Sequence, residues 1–125
     1  MGYRRWFAAA AVYNLAWGLA VVAWPAWFLD LADLGPAAAP LARAIGMMVG
    51  VYAYGYLLLA REPERYAQFV WIGLAGKACG VIGYLGGVLT GTLPWRFGWI
   101  TAANDLVWLP VFVSFAITYA RDRIR

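Results

Sequence analysis

The sequence has no histidine, one cysteine, one serine and one lysine among its 125 residues. Without histidine there is no imidazole for acid–base catalysis, and the single Cys79 has no partner for a disulfide or a cysteine-rich metal site. Carboxylate clusters are the remaining way to hold a metal, and the long apolar stretches contain only Asp105. We therefore expect no metal site and no cofactor, and enzymatic activity has little support.

Charged residues are also scarce, at 13% of the chain, whereas soluble domains carry about 25%. Hydrophobic residues make up 65% of the sequence, more than a soluble domain of this length can bury. Four nearly charge-free stretches each reach the roughly 20 residues that a helix needs to cross a bilayer. They predict an all-α fold, with one integral membrane domain over residues 1–125. The predicted helices are at about 6–28, 41–60, 68–90 and 98–120.

The arginine positions predict the orientation of these helices. In an antiparallel four-helix bundle with both termini cytoplasmic, seven arginines lie on the cytoplasmic side, and only Arg43 and Arg96 lie outside. The seven are Arg4, Arg5, Arg61, Arg65, Arg121, Arg123 and Arg125. This bias follows the positive-inside rule and predicts a multi-pass protein of the bacterial inner membrane. The net charge of +4 then reflects topology and attraction to membrane lipid, so we expect no nucleic-acid partner.

Glycines with four-residue spacing mark two of the predicted helices. Small residues at this spacing let helix backbones approach closely within a membrane. The predicted glycine faces consist of Gly46 and Gly50 in the second helix, and Gly76, Gly80, Gly83 and Gly87 in the third. They could pack within the bundle, against unlike membrane subunits, or against a second copy of the chain.

Three polar side chains are predicted at similar depth in the membrane. Counting along the helices at about 1.5 Å per residue puts the Cα atoms of Lys77 and Asp105 within roughly 6 Å of the same level. Asn14 falls near the level of Lys77. An unpaired charge in the middle of a bilayer is costly, so we expect Lys77 to be the counter-ion of Asp105. Asn14 and Asn104 would satisfy the remaining hydrogen-bonding groups.

This buried polar cluster has several possible roles. It could be a structural ion pair that fixes the helix register, a pocket for a lipid head group or quinone, or part of a proton or ion route. Pro110 predicts a kink beside Asp105, because it removes a backbone donor from the fourth helix. Arg43 is a candidate for head-group binding or for anchoring at the membrane surface.

Three tyrosines occur at alternate positions in the predicted second helix. Tyr52, Tyr54 and Tyr56 are spaced by two, which spreads side chains around a helix, so we expect them not to form one site.

The stretch "LARAIGMMVGVYAYGYLLLAREP", residues 41–63, resembles the DoxX-like small four-helix bacterial membrane proteins. That resemblance implies an accessory role, sometimes as a subunit of a membrane oxidoreductase. Three functions are therefore expected, in this order. The first is a non-catalytic accessory subunit or stabilising partner of a larger membrane complex. The second is a lipid- or quinone-binding protein, either a binder alone or an enzyme, with its pocket at Asn14, Lys77 and Asp105, and the third is a small homo-oligomeric transporter or channel.

Overall fold

The structure is a computed structural model and describes residues 2–121, so that Arg123 and Arg125 lie outside the described residues. Its α-helices are α1 (Gly2–Ala23), α2 (Pro25–Leu31), α3 (Ala39–Arg61), α4 (Phe69–Leu89), α5 (Gly98–Thr101) and α6 (Leu109–Phe115). Short 3-10 turns cover Pro36–Ala38 and Trp95–Phe97, and π-helical turns cover Ala102–Leu106 and Ala116–Ala120. No strand occurs among residues 2–121. The all-α prediction is confirmed over this range.

Four helical segments of the described chain are long and apolar enough to span a membrane. They are Gly2–Ala23, Pro36–Arg61, Phe69–Leu89 and Trp95–Ala120. Large apolar side chains remain exposed along them, including Leu89 at 85% and Val51 at 72% exposed. Such exposure would cost a soluble protein free energy but suits a lipid environment. The prediction of four long apolar helices is thereby confirmed.

The first helix ends earlier than the predicted boundary near residue 28. Pro25 cannot donate a backbone hydrogen bond, and its ring disfavours a helical conformation at the preceding residue. Trp24 accordingly adopts φ −136° and ψ 75°, and the chain restarts as the short helix α2. The first apolar stretch therefore forms two helices, because a proline at this position ends the first one.

Helices α1 and α3 pack with their backbones in direct contact at glycine residues. A Cβ atom placed on Gly18 would lie 2.5 Å from the Gly46 carbonyl oxygen and 3.0 Å from the Gly50 Cα. Glycine is therefore required at Gly18 for this close approach, although Gly18 is not part of the predicted glycine faces. Close backbone packing of this kind is a main source of helix association in lipid.

A cluster of aromatic rings joins α1 and α3 to the fourth apolar segment. Phe7 lies 4.9 Å from Phe115 and 5.1 Å from Phe112, measured between ring centroids, and Tyr56 lies 5.2 Å from Phe112. All four side chains are buried, and their tilted and edge-to-face arrangements are favourable for aromatic pairs. The rings of Tyr56 and Phe112 in this cluster also contact the Lys77 side chain.

The fourth apolar segment is interrupted between α5 and α6. Pro110 lacks an N–H group there, and the hydrogen bonds just before it change register. The N–H of Val107 donates to Ala102 at 3.1 Å, and that of Trp108 donates to Asp105 at 3.2 Å. In a regular α-helix these two donors would serve Ala103 and Asn104. The interruption therefore deprives two consecutive carbonyl groups of their usual helical partners.

Candidate functional site

Side chains take over the two carbonyl groups that the helix interruption releases. The indole Nε1 of Trp108 donates to the Ala103 oxygen at 2.9 Å, and the ammonium Nζ of Lys77 donates to the Asn104 oxygen at 2.5 Å. Backbone carbonyls in the membrane interior need such donors, because no water is available to serve them. The only lysine of the chain thus replaces a backbone N–H at the break in the fourth segment.

Aromatic rings complete the surroundings of the Lys77 ammonium group. Lys77 is 5% exposed, and its Nζ lies 5.3 Å from the ring centre of Phe112 and 5.7 Å from that of Tyr56. Ring faces attract cations at these distances, and the attraction grows as water is removed. The charge of Lys77 is therefore held by a carbonyl oxygen and two ring faces from the fourth segment and α3.

A cavity of about 130 Å³ lies beside this ammonium group. Its lining comes from α1, α3, α4 and the π-helical turn: Asn14, Met48, Val49, Tyr52, Tyr56, Gly73, Gly76, Lys77, Asn104 and Asp105. Met48, which is 58% exposed, lies on the surface side of this lining. The cavity therefore combines polar groups at depth with a flexible apolar side chain facing outward.

The structure brings together the four residues predicted to form a buried polar cluster. Asn14, Lys77, Asn104 and Asp105 all line the cavity. Asn14 donates from Nδ2 to the Val49 oxygen at 3.2 Å, and this contact holds its amide between α1 and α3. Counting residues along each helix predicted similar depths for these four residues, whereas their common orientation depends on how each helix is rotated.

No ion-pair contact joins the Lys77 ammonium group to the Asp105 carboxylate among residues 2–121. The backbone carbonyl of Asn104, which precedes Asp105 in the sequence, accepts a hydrogen bond from the Lys77 ammonium group. The Asp105 carboxylate rests on Gly80, where any Cβ atom would overlap it. The two charged groups share the cavity without an ion-pair contact, and the expectation that Lys77 is the counter-ion of Asp105 stays a prediction.

Arg43 lies apart from the cavity. It is exposed, and its Nε donates to the Val22 oxygen at 3.2 Å. Val22 is near the end of α1, where the break before Pro25 leaves carbonyl groups without helical donors. Arg43 therefore caps the first helix, and its role towards lipid head groups stays a prediction.

Two tyrosines line the cavity although the sequence analysis did not assign them to it. Tyr52 and Tyr56 are four residues apart on α3 and share one face, while Tyr54 is 67% exposed on another. The four-residue spacing was a usable signal, and grouping all three tyrosines hid it. Tyr13 was also missed: its hydroxyl donates to Asn104 Oδ1 at 2.5 Å and orients the Asn104 side chain.

The predicted glycine faces divide into different local roles. Gly46 and Gly50 meet Gly18, Gly80 supports Asp105, and Gly87 packs against Leu93, all within the chain. Gly76 has ordinary contact with Tyr52, and space is open beside Gly83. Most of these glycines are thus used inside the bundle, and an interface with another protein stays a prediction.

Comparison with known proteins identifies no relative. No protein-family model, no curated protein and no solved structure matches this chain. The similarity to DoxX-like proteins stays a prediction. Function must therefore be inferred from the chemistry of the cavity.

A second, more open cavity of about 730 Å³ lies where the start of α1 meets the α3–α4 turn and the end of the fourth segment. Tyr3, Arg4 and Tyr119 line it together with the turn residues from Glu62 to Arg65. The Glu62 carboxylate accepts a hydrogen bond from Arg65 and raises the pKa of that exposed guanidinium. Acidic and basic side chains both line this second cavity at the surface, as in a solvated turn.

The cavity at Lys77 offers hydrogen-bond donors and acceptors, but the described residues form no metal-binding cluster of histidine, cysteine or acidic side chains. Lys77 can donate further hydrogen bonds, Asp105 can accept them, and the Tyr52 hydroxyl can do both. This arrangement is suited to binding a polar head group within an apolar surrounding.

Proposed function

We propose that this chain is a multi-pass protein of the bacterial inner membrane that binds a small amphiphile, a lipid or a quinone, by its head group. The observation that carries the proposal is the cavity of about 130 Å³ with Lys77, Asp105 and Asn14 on its walls. An apolar cavity of about 150 Å³ is large enough for benzene, so this one can take a ring or a small head group. The apolar tail of the ligand would remain in lipid.

Unused hydrogen-bonding groups favour a binding role over a purely structural one. The Asp105 carboxylate and the Tyr52 hydroxyl make no hydrogen bond within residues 2–121, although both residues line the cavity. Trp71 Nε1 is the only fully buried side-chain N or O atom in this range without a partner. The Asp105 carboxylate and the Tyr52 hydroxyl are therefore accessible from the cavity. A structural cluster would satisfy its polar groups internally, whereas a binding site keeps some for its ligand.

The proposed topology is an antiparallel four-helix bundle with both termini in the cytoplasm. The start of α1, the α3–α4 turn and the end of the fourth segment line one open cavity and so share one end of the molecule. At the loops of the other end, Arg96 donates to the Asp30 carbonyl oxygen at 2.7 Å. The arginine bias supports a cytoplasmic location for the first of these ends.

The test is organic extraction of the purified protein followed by mass spectrometry of the lipophilic extract. Gly76→Leu should fill the cavity, because a Cβ atom at Gly76 fits at 3.5 Å from Tyr52 and the longer side chain adds bulk beside it. Gly83→Leu is the matched control on the same helix, with open space around it. We expect a specific compound that is retained by wild type and Gly83→Leu and depleted in Gly76→Leu. Equal recovery from all three proteins would refute the proposal.

A role as an accessory subunit is the second candidate, and the exposure of α4 favours it. Only 11% of the apolar window of α4 is buried within the chain, against 28–39% for the other three. Such a helix has room for an unlike membrane subunit beside the open face at Gly83 and Gly86. Purification from native membranes in a mild detergent tests this candidate: it requires a reproducible unlike subunit that Gly83→Leu releases. The predicted transporter or channel function stays a prediction.

A further inference from the structure

The formal charges around the cavity at Lys77 cancel. Lys77 supplies one positive group and Asp105 one negative group, and both line the same small space. Asn14 and Asn104 are neutral, as are the tyrosines. A phosphate would approach the Asp105 carboxylate, and an ammonium head group would approach Lys77, so each meets a like charge that it cannot avoid in so small a volume. A neutral head group meets neither penalty.

Beside the unused acceptor of Asp105, the cavity has unused donors that can serve an acceptor on the ligand. Of the three N–H groups on Lys77, the described residues use one, for the Asn104 oxygen. Asn14 uses one of its two amide protons, for the Val49 oxygen. Donor capacity therefore remains on α1 and α4, and a carbonyl oxygen of a ligand can accept from either side.

The walls of the cavity favour a flat ring. Tyr52 and Tyr56 present aromatic rings from α3, while Gly73 and Gly76 contribute backbone without side chains from α4. Cβ atoms on these glycines would lie only 3.1–3.5 Å from the tyrosine rings, so the rings already pack against α4 and a ligand ring must lie beside them, not between them and the glycines. Planar rings stack favourably on aromatic side chains, and a volume of about 130 Å³ corresponds to about one ring.

We propose, on the basis of the amphiphile-binding function above, that the cavity selects a neutral planar ring bearing carbonyl oxygens, as in a quinone, over phosphate and ammonium head groups. A ring carbonyl accepts a hydrogen bond from Lys77, and the ring packs against Tyr52, which is only partly buried, whereas Tyr56 is 1% exposed. The apolar tail leaves past Met48, whose flexible side chain lies on the exposed side of the cavity.

Three probes with the same decyl tail test this selectivity: decylubiquinone, decyl phosphate and decyltrimethylammonium. Binding to the intact protein in nanodiscs is measured by native mass spectrometry at matched probe concentrations. We expect decylubiquinone to bind the wild type about tenfold more tightly than either charged probe. Tighter binding of decyl phosphate or decyltrimethylammonium by the wild type would overturn the proposed selectivity.

Charge variants test the reason for this preference. Asp105→Asn leaves Lys77 as the only charged group of the cavity, so it should move the preference towards decyl phosphate. Lys77→Met should instead favour decyltrimethylammonium. An unchanged order of affinities in Asp105→Asn would contradict the charge argument. Wild type and Asp105→Asn decide the question between them, so the test survives if Lys77→Met does not fold.

The cavity-filling variant Gly76→Leu distinguishes a failure of the ring selectivity from a failure of the amphiphile-binding function on which it rests. Gly76→Leu should weaken the binding of whichever probe the wild type prefers, and Gly83→Leu should not. If decyl phosphate is preferred and Gly76→Leu abolishes its binding, the ring selectivity is wrong but amphiphile binding stands. If Gly76→Leu leaves all three affinities unchanged, the cavity is not the binding site and both conclusions fail.

Discussion

Replacing Gly18 by alanine probes the close contact between α1 and α3. The new Cβ atom would lie 2.5 Å from the Gly46 oxygen, whereas ordinary contact begins at 3.4 Å. The neighbouring atoms belong to helix backbone and cannot rotate away, so the two helices must separate by roughly 1 Å, as overpacked sites do. That separation would weaken contacts along the whole α1–α3 interface.

The expected cost follows from two opposing effects. Overpacking a tight site costs about 1–3 kcal/mol, while alanine stabilises a helix by about 1 kcal/mol relative to glycine. The difference is about 0–2 kcal/mol, and we expect Gly18→Ala to lower the free energy of unfolding by the upper part of this range, because the contacted atoms are backbone. Gly83→Ala is the matched control: its Cβ atom meets open space, so only the favourable helix propensity remains.

Equilibrium unfolding in mixed detergent micelles, followed by circular dichroism, measures both variants. The reasoning requires opposite signs for the two changes in unfolding free energy. If Gly18→Ala is as stable as Gly83→Ala, then α1 and α3 do not approach as closely as the structure describes.

Three further predictions use the same unfolding assay. Lys77→Met leaves the Asn104 carbonyl without its donor and should cost about 1–3 kcal/mol; wild-type stability would contradict that capping role. Arg96→Ala removes the hydrogen bonds to the Asp30 oxygen and should cost about 0.5–1.5 kcal/mol, whereas loss of the exposed Arg65 pair should change little. Gly91→Ala should cost about 1–2 kcal/mol because Gly91 has φ +77°, a left-handed conformation; a neutral result would contradict the described end of α4.

The helices could be predicted because their signals are local. Charge-free stretches give the four long apolar segments, and Pro110 indicates the interruption of the last one. Depth along a helix follows from counting residues, which is why Lys77, Asp105 and Asn14 were expected at one level. In the structure, all three of these residues line one cavity.

Rotation of each helix about its axis could not be predicted in the same way. A helix that is apolar on every side carries no stripe to show which face is buried, so the contact at Gly18 gave no clear signal. The four-residue spacing of Tyr52 and Tyr56 indicates that they share a face but not which way that face points. The partner of Lys77 was also missed, because it depends on a shift of backbone hydrogen bonds at Val107 and Trp108. Pro110 indicates that the helix is interrupted but not which carbonyl groups are released, so residue spacing does not identify the hydrogen-bond partner of Lys77.

Native mass spectrometry of the protein released from native nanodiscs tests amphiphile binding by the Lys77 cavity most directly. It reports the number of chains and any retained small molecule in the same measurement. The account predicts a retained lipophilic mass on wild-type protein that Gly76→Leu loses and Gly83→Leu keeps. A wild-type chain that carries no such mass, or a mass that Gly76→Leu also retains, would contradict it.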